Sequence, residues 1–149
     1  MITSLILGIL RKKEESELKS ANPYLFIDGC QEAVAFYQEA LGGDIRNVQL
    51  ADGVEMFKGH EGKYLHAELH LGDSIIHFSD VVGQVEKGDH VSITLECESE
   101  DEIRRVYDML KSGGHAALEL QKTFWGALHA NVTDKYGVKW LLNYQMPES

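Results

Sequence analysis

A chain of 149 residues has room for one domain with a real core, burying roughly two-thirds of its unfolded surface, and is short for two. At 44% hydrophobic and 26% charged it has globular composition, which excludes disorder, collagen and coiled coil. Lys and Arg number 14 against 24 Asp and Glu; the net charge of -10 has the wrong sign for nucleic-acid phosphate or an anionic membrane surface.

The two cysteines, Cys30 and Cys97, form neither a CxxC pair nor a disulfide framework, which points to a reducing compartment, the cytoplasm. Residues 2–10 are nearly all apolar and Arg11-Lys12-Lys13 follows. The run is far short of the ~20 residues that span a bilayer. Its charge also follows the apolar stretch, the reverse of a secretory signal. Residues 1–20 therefore read as an N-terminal arm that packs on its own domain or on a partner chain. Residues 21–149 read as one domain.

That domain opens on a strand, 22–27, with Pro23 tolerated at its start. Asp28-Gly29 turns the chain. Helix 31–41 gathers Val34, Phe36, Tyr37, Ala40 and Leu41 on or near one face, and Gly42-Gly43 stops it. A strand at 45–50 and a glycine-punctuated loop at 51–64 follow. Strands 65–71 and 74–79 flank Gly72-Asp73, a two-residue loop with Gly first that suits a type II′ hairpin turn. The order then repeats. Strand 91–97 leads to helix 99–111, where Ser99 and Glu102 have the spacing of a capping box. Ile103, Val106, Tyr107 and Leu110 form its apolar face, and Gly113-Gly114 ends it 71 positions after the first glycine pair. Strands 116–120, 127–133 and 138–144 complete the chain. The fold class is α+β: two βαβββ modules, about 22–80 and 90–145. They should join edge to edge into a curved, cup-shaped mixed sheet with helices outside.

Register can be read from the hairpin. With Gly72-Asp73 as the loop, Leu71 opposes Ser74, His70 opposes Ile75, Glu68 opposes His77 and His66 opposes Ser79. These imidazoles and the carboxylate share one face; Leu65, Ala67, Leu69, Leu71, Ile76 and Phe78 take the other. The apolar face suits cover by helices, which leaves the polar face for the cup.

The chain at this point resembles the vicinal oxygen chelate superfamily of glyoxalase I, bleomycin-resistance proteins and extradiol dioxygenases, and more specifically its PhnB-like branch. The carrying segments are Asn22-Pro23-Tyr24-Leu25, Ala33-Val34-Ala35-Phe36-Tyr37, Leu41-Gly42-Gly43 and the hairpin from His66 to Asp80. Strongest are Gln121-Lys122-Thr123-Phe124-Trp125-Gly126 and Thr133-Asp134-Lys135-Tyr136-Gly137-Val138-Lys139-Trp140. The resemblance covers about 22–144. It implies an eight-stranded cup and a homodimer. Metal enzymes of the superfamily hold a divalent ion through one residue on each of four strands, and those positions fall at Asn22, His77, Ser92 and Leu141. Of these only His77 is a strong ligand type, and Leu141 has no donor atom. The expectation is therefore no metal at the standard site and no cofactor. Some relatives carry a ubiquinone-methyltransferase label, but no Gly-rich cofactor loop after a strand supports one here.

His66, Glu68 and His77 on one face have ligand types that suit a divalent cation. The preferred reading is a hydrogen-bonded cavity lining with Glu68 and His77 as a cross-strand pair. Glu68 is the candidate general base, provided burial raises its pKa toward neutrality. Tyr24 and Phe26 should face the cup, and Phe124-Trp125-Gly126 either walls a pocket or plugs the core or dimer seam. Trp140 and Cys97 read as core, and Cys30 as an ordinary buried thiol. Ligand-binding candidates are thus Tyr24, Phe26, His66, Glu68, His77, Phe124 and Trp125. The expected function is a cytoplasmic, homodimeric small-molecule-binding protein without the standard metal site, with no nucleic-acid or membrane partner. The alternative is a metal-dependent lyase, isomerase or dioxygenase with a non-standard metal site.

Overall fold

The structure, a computed structural model, describes residues 17–81 and 83–148. The apolar run 2–10 lies outside them. Strand β1 (Tyr24–Phe26) leads through Gly29 into helix α1 (Cys30–Leu41). Cys30, Ala33, Val34, Tyr37 and Ala40 are buried, which is the spacing of one helix face. No side chain at Gly29 caps this helix. Asp80, at the far end of the module, does so instead: its Oδ1 accepts from Gly29 N at 3.1 Å and Cys30 N at 3.0 Å. Its Oδ2 accepts from Tyr64 N at 2.6 Å, so one carboxylate ties helix start, hairpin start and hairpin end together.

Strand β2 (Asp44–Leu50) runs antiparallel to β3 (Tyr64–Leu71), which turns into β4 (Ser74–Ser79). β1 lies parallel to β4, and the sheet order is β1-β4-β3-β2. The hairpin register is the expected one: Leu71 faces Ser74, His70 faces Ile75, Glu68 faces His77 and Ala67 faces Phe78. Gly72 has a φ of 56° and Asp73 is not among the residues with positive φ, which fits a II′ rather than a I′ turn. Ala67, Leu69, Ile76 and Phe78 are buried beneath α1.

The second module repeats this with β5 (Ile93–Glu96), α2 (Glu100–Lys111), β6 (His115–Lys122), β7 (Ala127–Thr133) and β8 (Lys139–Gln145), in the order β5-β8-β7-β6. Ser99 Oγ caps α2 by accepting from Glu102 N at 3.1 Å. The return bond of the capping box goes one residue further back, from Glu98 N to Glu102 Oε1 at 3.2 Å. β5 is shorter than the expected strand and leaves Val91 exposed.

Two open four-stranded sheets result rather than one unbroken ladder, since the hydrogen-bonded order ends at β1 on one side and β5 on the other. A shared core joins the modules. Arg105 Nη1, on α2, donates to Ala40 O, near the end of α1, at 3.0 Å. Tyr37 of α1 reaches into the second module, donating its hydroxyl to Asp134 Oδ2 at 2.5 Å; Trp140 Nε1 donates to the same oxygen at 2.8 Å. Tyr136 N and Val138 N occupy Oδ1, so this buried carboxylate is fully satisfied, as a charge away from water requires.

Candidate functional site

Alternation in β3 and β4 sends Ala67, Leu69, Ile76 and Phe78 toward α1 and leaves His66, Glu68, His70 and His77 on the helix-free face. Glu68 is the centre of this group. Its Oε2 lies 2.7 Å from His66 Nε2, and its Oε1 lies 2.8 Å from His70 Nε2 and 2.9 Å from Asn47 Nδ2. Because an ionised carboxylate only accepts, both imidazoles carry their proton on Nε2 here. His66 Nδ1 then accepts from the Tyr24 hydroxyl at 3.0 Å. The expected Glu68–His77 pair is opposite in register, yet His77 Nδ1 stands 3.9 Å from Glu68 Oε2, too far for a hydrogen bond. His77 instead lies parallel to the Tyr24 ring, with 5.6 Å between centroids and 8° between planes.

Three donors set the electrostatics of Glu68. Hydrogen bonds from His66, His70 and Asn47, in that order, pull its pKa down to about 2, against a smaller opposing effect of burial. The general-base reading of Glu68 holds only where burial raises its pKa toward neutrality. Here the hydrogen bonds outweigh burial, and a carboxylate held below its ordinary range is a weak proton acceptor near neutral pH. Cys30, at the start of α1, is fully buried, and burial followed by the nearby Asp80 charge pushes its thiol up to about 12.

Tyr24 and Phe26 stack on each other at 4.9 Å and are exposed, with Leu25 and Ile27 turned toward the core. Five of the expected residues thus share one face: Tyr24, Phe26, His66, Glu68 and His77. Phe124 and Trp125 lie elsewhere, in the β6–β7 turn. Phe124 is 98% exposed and Trp125 51%, and no ring contact or hydrogen bond joins them to the Glu68 group among the described residues. The edge of Trp125 rests on His129 at 6.1 Å. His129 sits within β7, between buried Leu128 and Ala130, and so faces away from the helices. Trp140 is core, as expected.

Sequence reasoning missed two members. His70 was placed on the correct face, and its i+2 relation to Glu68 was the available signal. Asn47 gave none, because it enters from a bulge between Arg46 and Gln49, with a φ of 55°, that breaks the β2 register.

The four positions that the resemblance assigns to a metal do not make a donor set. Asn22 and Ser92 lie outside β1 and β5; His77 pairs with Tyr24, and Leu141, which has no donor, pairs with Thr94. A different group does converge: one ligand atom each from His66, Glu68 and His77 lies within 4.8 Å of the others. Two grooves of about 570 and 850 Å³ flank the seam between β1 and β5. The larger is walled by Tyr24 and Phe26, but neither contains His66, Glu68 or His77, which stand on the open sheet face. No helix among the described residues is long and apolar enough to cross a membrane.

Residues 20–142 match the family described as the Glyoxalase/Bleomycin resistance protein/Dioxygenase superfamily. The chain is 30% identical over 139 residues to Protein YjdN of Escherichia coli (strain K12), covering 82% of this chain and 92% of that protein. Among solved structures it is similar to protein PA1353 from Pseudomonas aeruginosa, with 31% identity and a TM-score of 0.78 over 88% of this chain and 100% of that one. It is also similar to a Bacillus cereus PhnB protein described as a putative 3-demethylubiquinone-9 3-methyltransferase, with 25% identity and a TM-score of 0.73 over 85% and 99%. Two βαβββ modules, a helix-free polar face and these matches together say that the chain belongs to the glyoxalase/bleomycin resistance/dioxygenase superfamily, in its PhnB-like branch.

Proposed function

We propose that this chain is a small-molecule-binding protein, cytoplasmic and homodimeric, whose ligand lies against the helix-free face of the first module. The observation that carries this reading is the exposed Tyr24–Phe26 stack abutting the Glu68 group. An aromatic shelf beside a few converging polar atoms suits a ligand with a flat apolar part and a hydrogen-bonding edge. The flat part would stack on Phe26 and Tyr24, and the edge would meet His77 Nδ1, which has no hydrogen-bond partner among the described residues. Phe124 and Trp125 would close the site from the second module of a partner chain. Two free cysteines, one of them buried, accord with a reducing compartment.

A thermal-shift screen of planar heteroaromatic acids and amides tests this. Hits should lose about tenfold in affinity on Phe26→Ala, since one aromatic contact contributes about 0.5–1.5 kcal/mol beyond the area it buries and about 1.4 kcal/mol is tenfold. Hits that bind Phe26→Ala and His77→Ala as tightly as the parent would refute the placement.

A further inference from the structure

We propose that His66, Glu68 and His77 hold one first-row divalent metal ion through His66 Nε2, Glu68 Oε2 and His77 Nδ1, with at least one coordination position left open. This goes beyond the binding reading and does not depend on it; with the ion bound, the edge of that ligand would meet the open coordination position in place of His77 Nδ1. It shares only His77 with the four positions that the family resemblance implies, and it takes its other ligands from β3.

The two oxygens of Glu68 have different surroundings. Oε1 is occupied by His70 Nε2 at 2.8 Å and Asn47 Nδ2 at 2.9 Å, which hold the carboxylate in place from behind. Oε2 is turned to the two remaining imidazoles, 2.7 Å from His66 and 3.9 Å from His77. Metal–ligand bonds of about 2.0–2.2 Å set donors about 3–3.5 Å apart in tetrahedral or octahedral geometry. The 2.7 Å separation must open slightly, while the 3.9 Å one and that between His66 and His77, within 4.8 Å, must close, all within reach of side-chain torsions. The outer partners fit as well. With an ion on Nε2, the His66 proton moves to Nδ1 and is donated to the Tyr24 hydroxyl oxygen, the same 3.0 Å contact in the opposite sense. Such partners fix the tautomer and ring orientation of metal-bound histidines.

His77 is the residue that a purely structural network leaves unexplained. Its ring makes no hydrogen bond among the described residues, yet it is held parallel to Tyr24 and directly opposite Glu68 in the ladder. Adjacent strands fix all three ligands, which is a stiffer mount than loops. Two imidazoles and a carboxylate favour zinc, cobalt, nickel or iron(II) over magnesium or calcium, which want oxygen donors. Three protein ligands on an open face leave room for water or a ligand atom.

The experiment is a titration of the tag-free full chain, stripped with chelator, with Zn²⁺ by calorimetry and with Co²⁺ by visible absorption. One ion per chain is expected, with d–d bands for Co²⁺. Glu68→Gln and His77→Ala should each weaken binding by about 100-fold or more. His70→Ala, which removes only an outer partner, should weaken it by about 10–100-fold. His115→Ala, on exposed β6, should leave it unchanged. Circular dichroism and melting show that each variant is folded. A folded parent chain that fails to bind Zn²⁺ below about 1 mM overturns the proposal, as does binding that His77→Ala leaves within threefold. Small-molecule binding by the stripped protein, measured alongside, separates failure of the metal site from failure of the binding reading.

Discussion

Glu68 shows how one carboxylate organises a face. His66 and His70 are its neighbours at i-2 and i+2, and in a strand those positions project to the same side. His77, directly opposite in the ladder, shares that side as well, yet the carboxylate bonds the two imidazoles of its own strand and not the one across it. The charge-assisted bonds have a consequence for pH. The folded-state pKa, about 2, lies below the ordinary carboxylate value. Such a group contributes stability that is fully present above its unfolded pKa and is lost as pH falls through the folded one. The window runs from about pH 4.5 down to about 2. Urea unfolding at pH 7 and pH 3 should show a smaller acid loss for Glu68→Gln than for the parent chain; equal losses would remove Glu68 as the source. The face, its alternation and the opposition of Glu68 to His77 were legible in the sequence from one hairpin turn. The bonds were not. Alternation gives a side and leaves open which of three imidazoles a flexible carboxylate will choose. A bulge such as the one that delivers Asn47 leaves no periodic trace.

At the scale of elements, the two glycine pairs do more than stop helices. Gly42 has open space where a Cβ would lie, so its role is its left-handed φ of 80°. Gly43 and Gly114 are placed differently: a Cβ on Gly43 would run into His70 O, and one on Gly114 into Thr133 O and the Asp134 backbone. In each module the second glycine lets the chain leaving the helix pass against the strand of its own hairpin. Backbone cannot yield as a flexible side chain can. Gly43→Ala and Gly114→Ala should therefore cost about 2–4 kcal/mol in urea unfolding, and Gly42→Ala about 1; because Gly114 has no positive φ, a cost there no larger than that of Gly42→Ala would remove the close-approach argument.

Helix capping separates the modules in the same way. Asp80 satisfies three backbone donors while almost fully buried, whereas Ser99 satisfies one at the surface. Asp80→Ala should cost about 2–4 kcal/mol, against about 1 for Ser99→Ala. Comparable losses would mean that Asp80 is not what holds α1 to its hairpin. Ser99 could be read from a local motif. Asp80 could not, because its helix partners lie 50 and 51 positions away, and Tyr64 16, and only the closed fold brings them together.

At the scale of the whole molecule, the helices, Tyr37, Asp134 and Trp140 bind the two modules through their inner sides. Both sheets keep a helix-free face, and each carries exposed aromatic rings. The first offers the Tyr24–Phe26 shelf and the Glu68 group; the second offers Trp125 leaning on His129, with Phe124 projecting beside it. Large aromatics left in water are a reason for association. A twofold pair would meet this need twice, each first-module face covered by the second module of the other chain. The Glu68 group lies in neither seam groove of the single chain and stands on the face that such a pairing would cover. Sedimentation equilibrium of the full chain should give a dimer at micromolar concentration. Replacing Phe124 and Trp125 together by Asp should shift it to monomer while far-ultraviolet circular dichroism stays unchanged, because neither side chain belongs to the core. A parent chain that sediments as a monomer, or a double variant that remains dimeric, would show that these two faces do not meet.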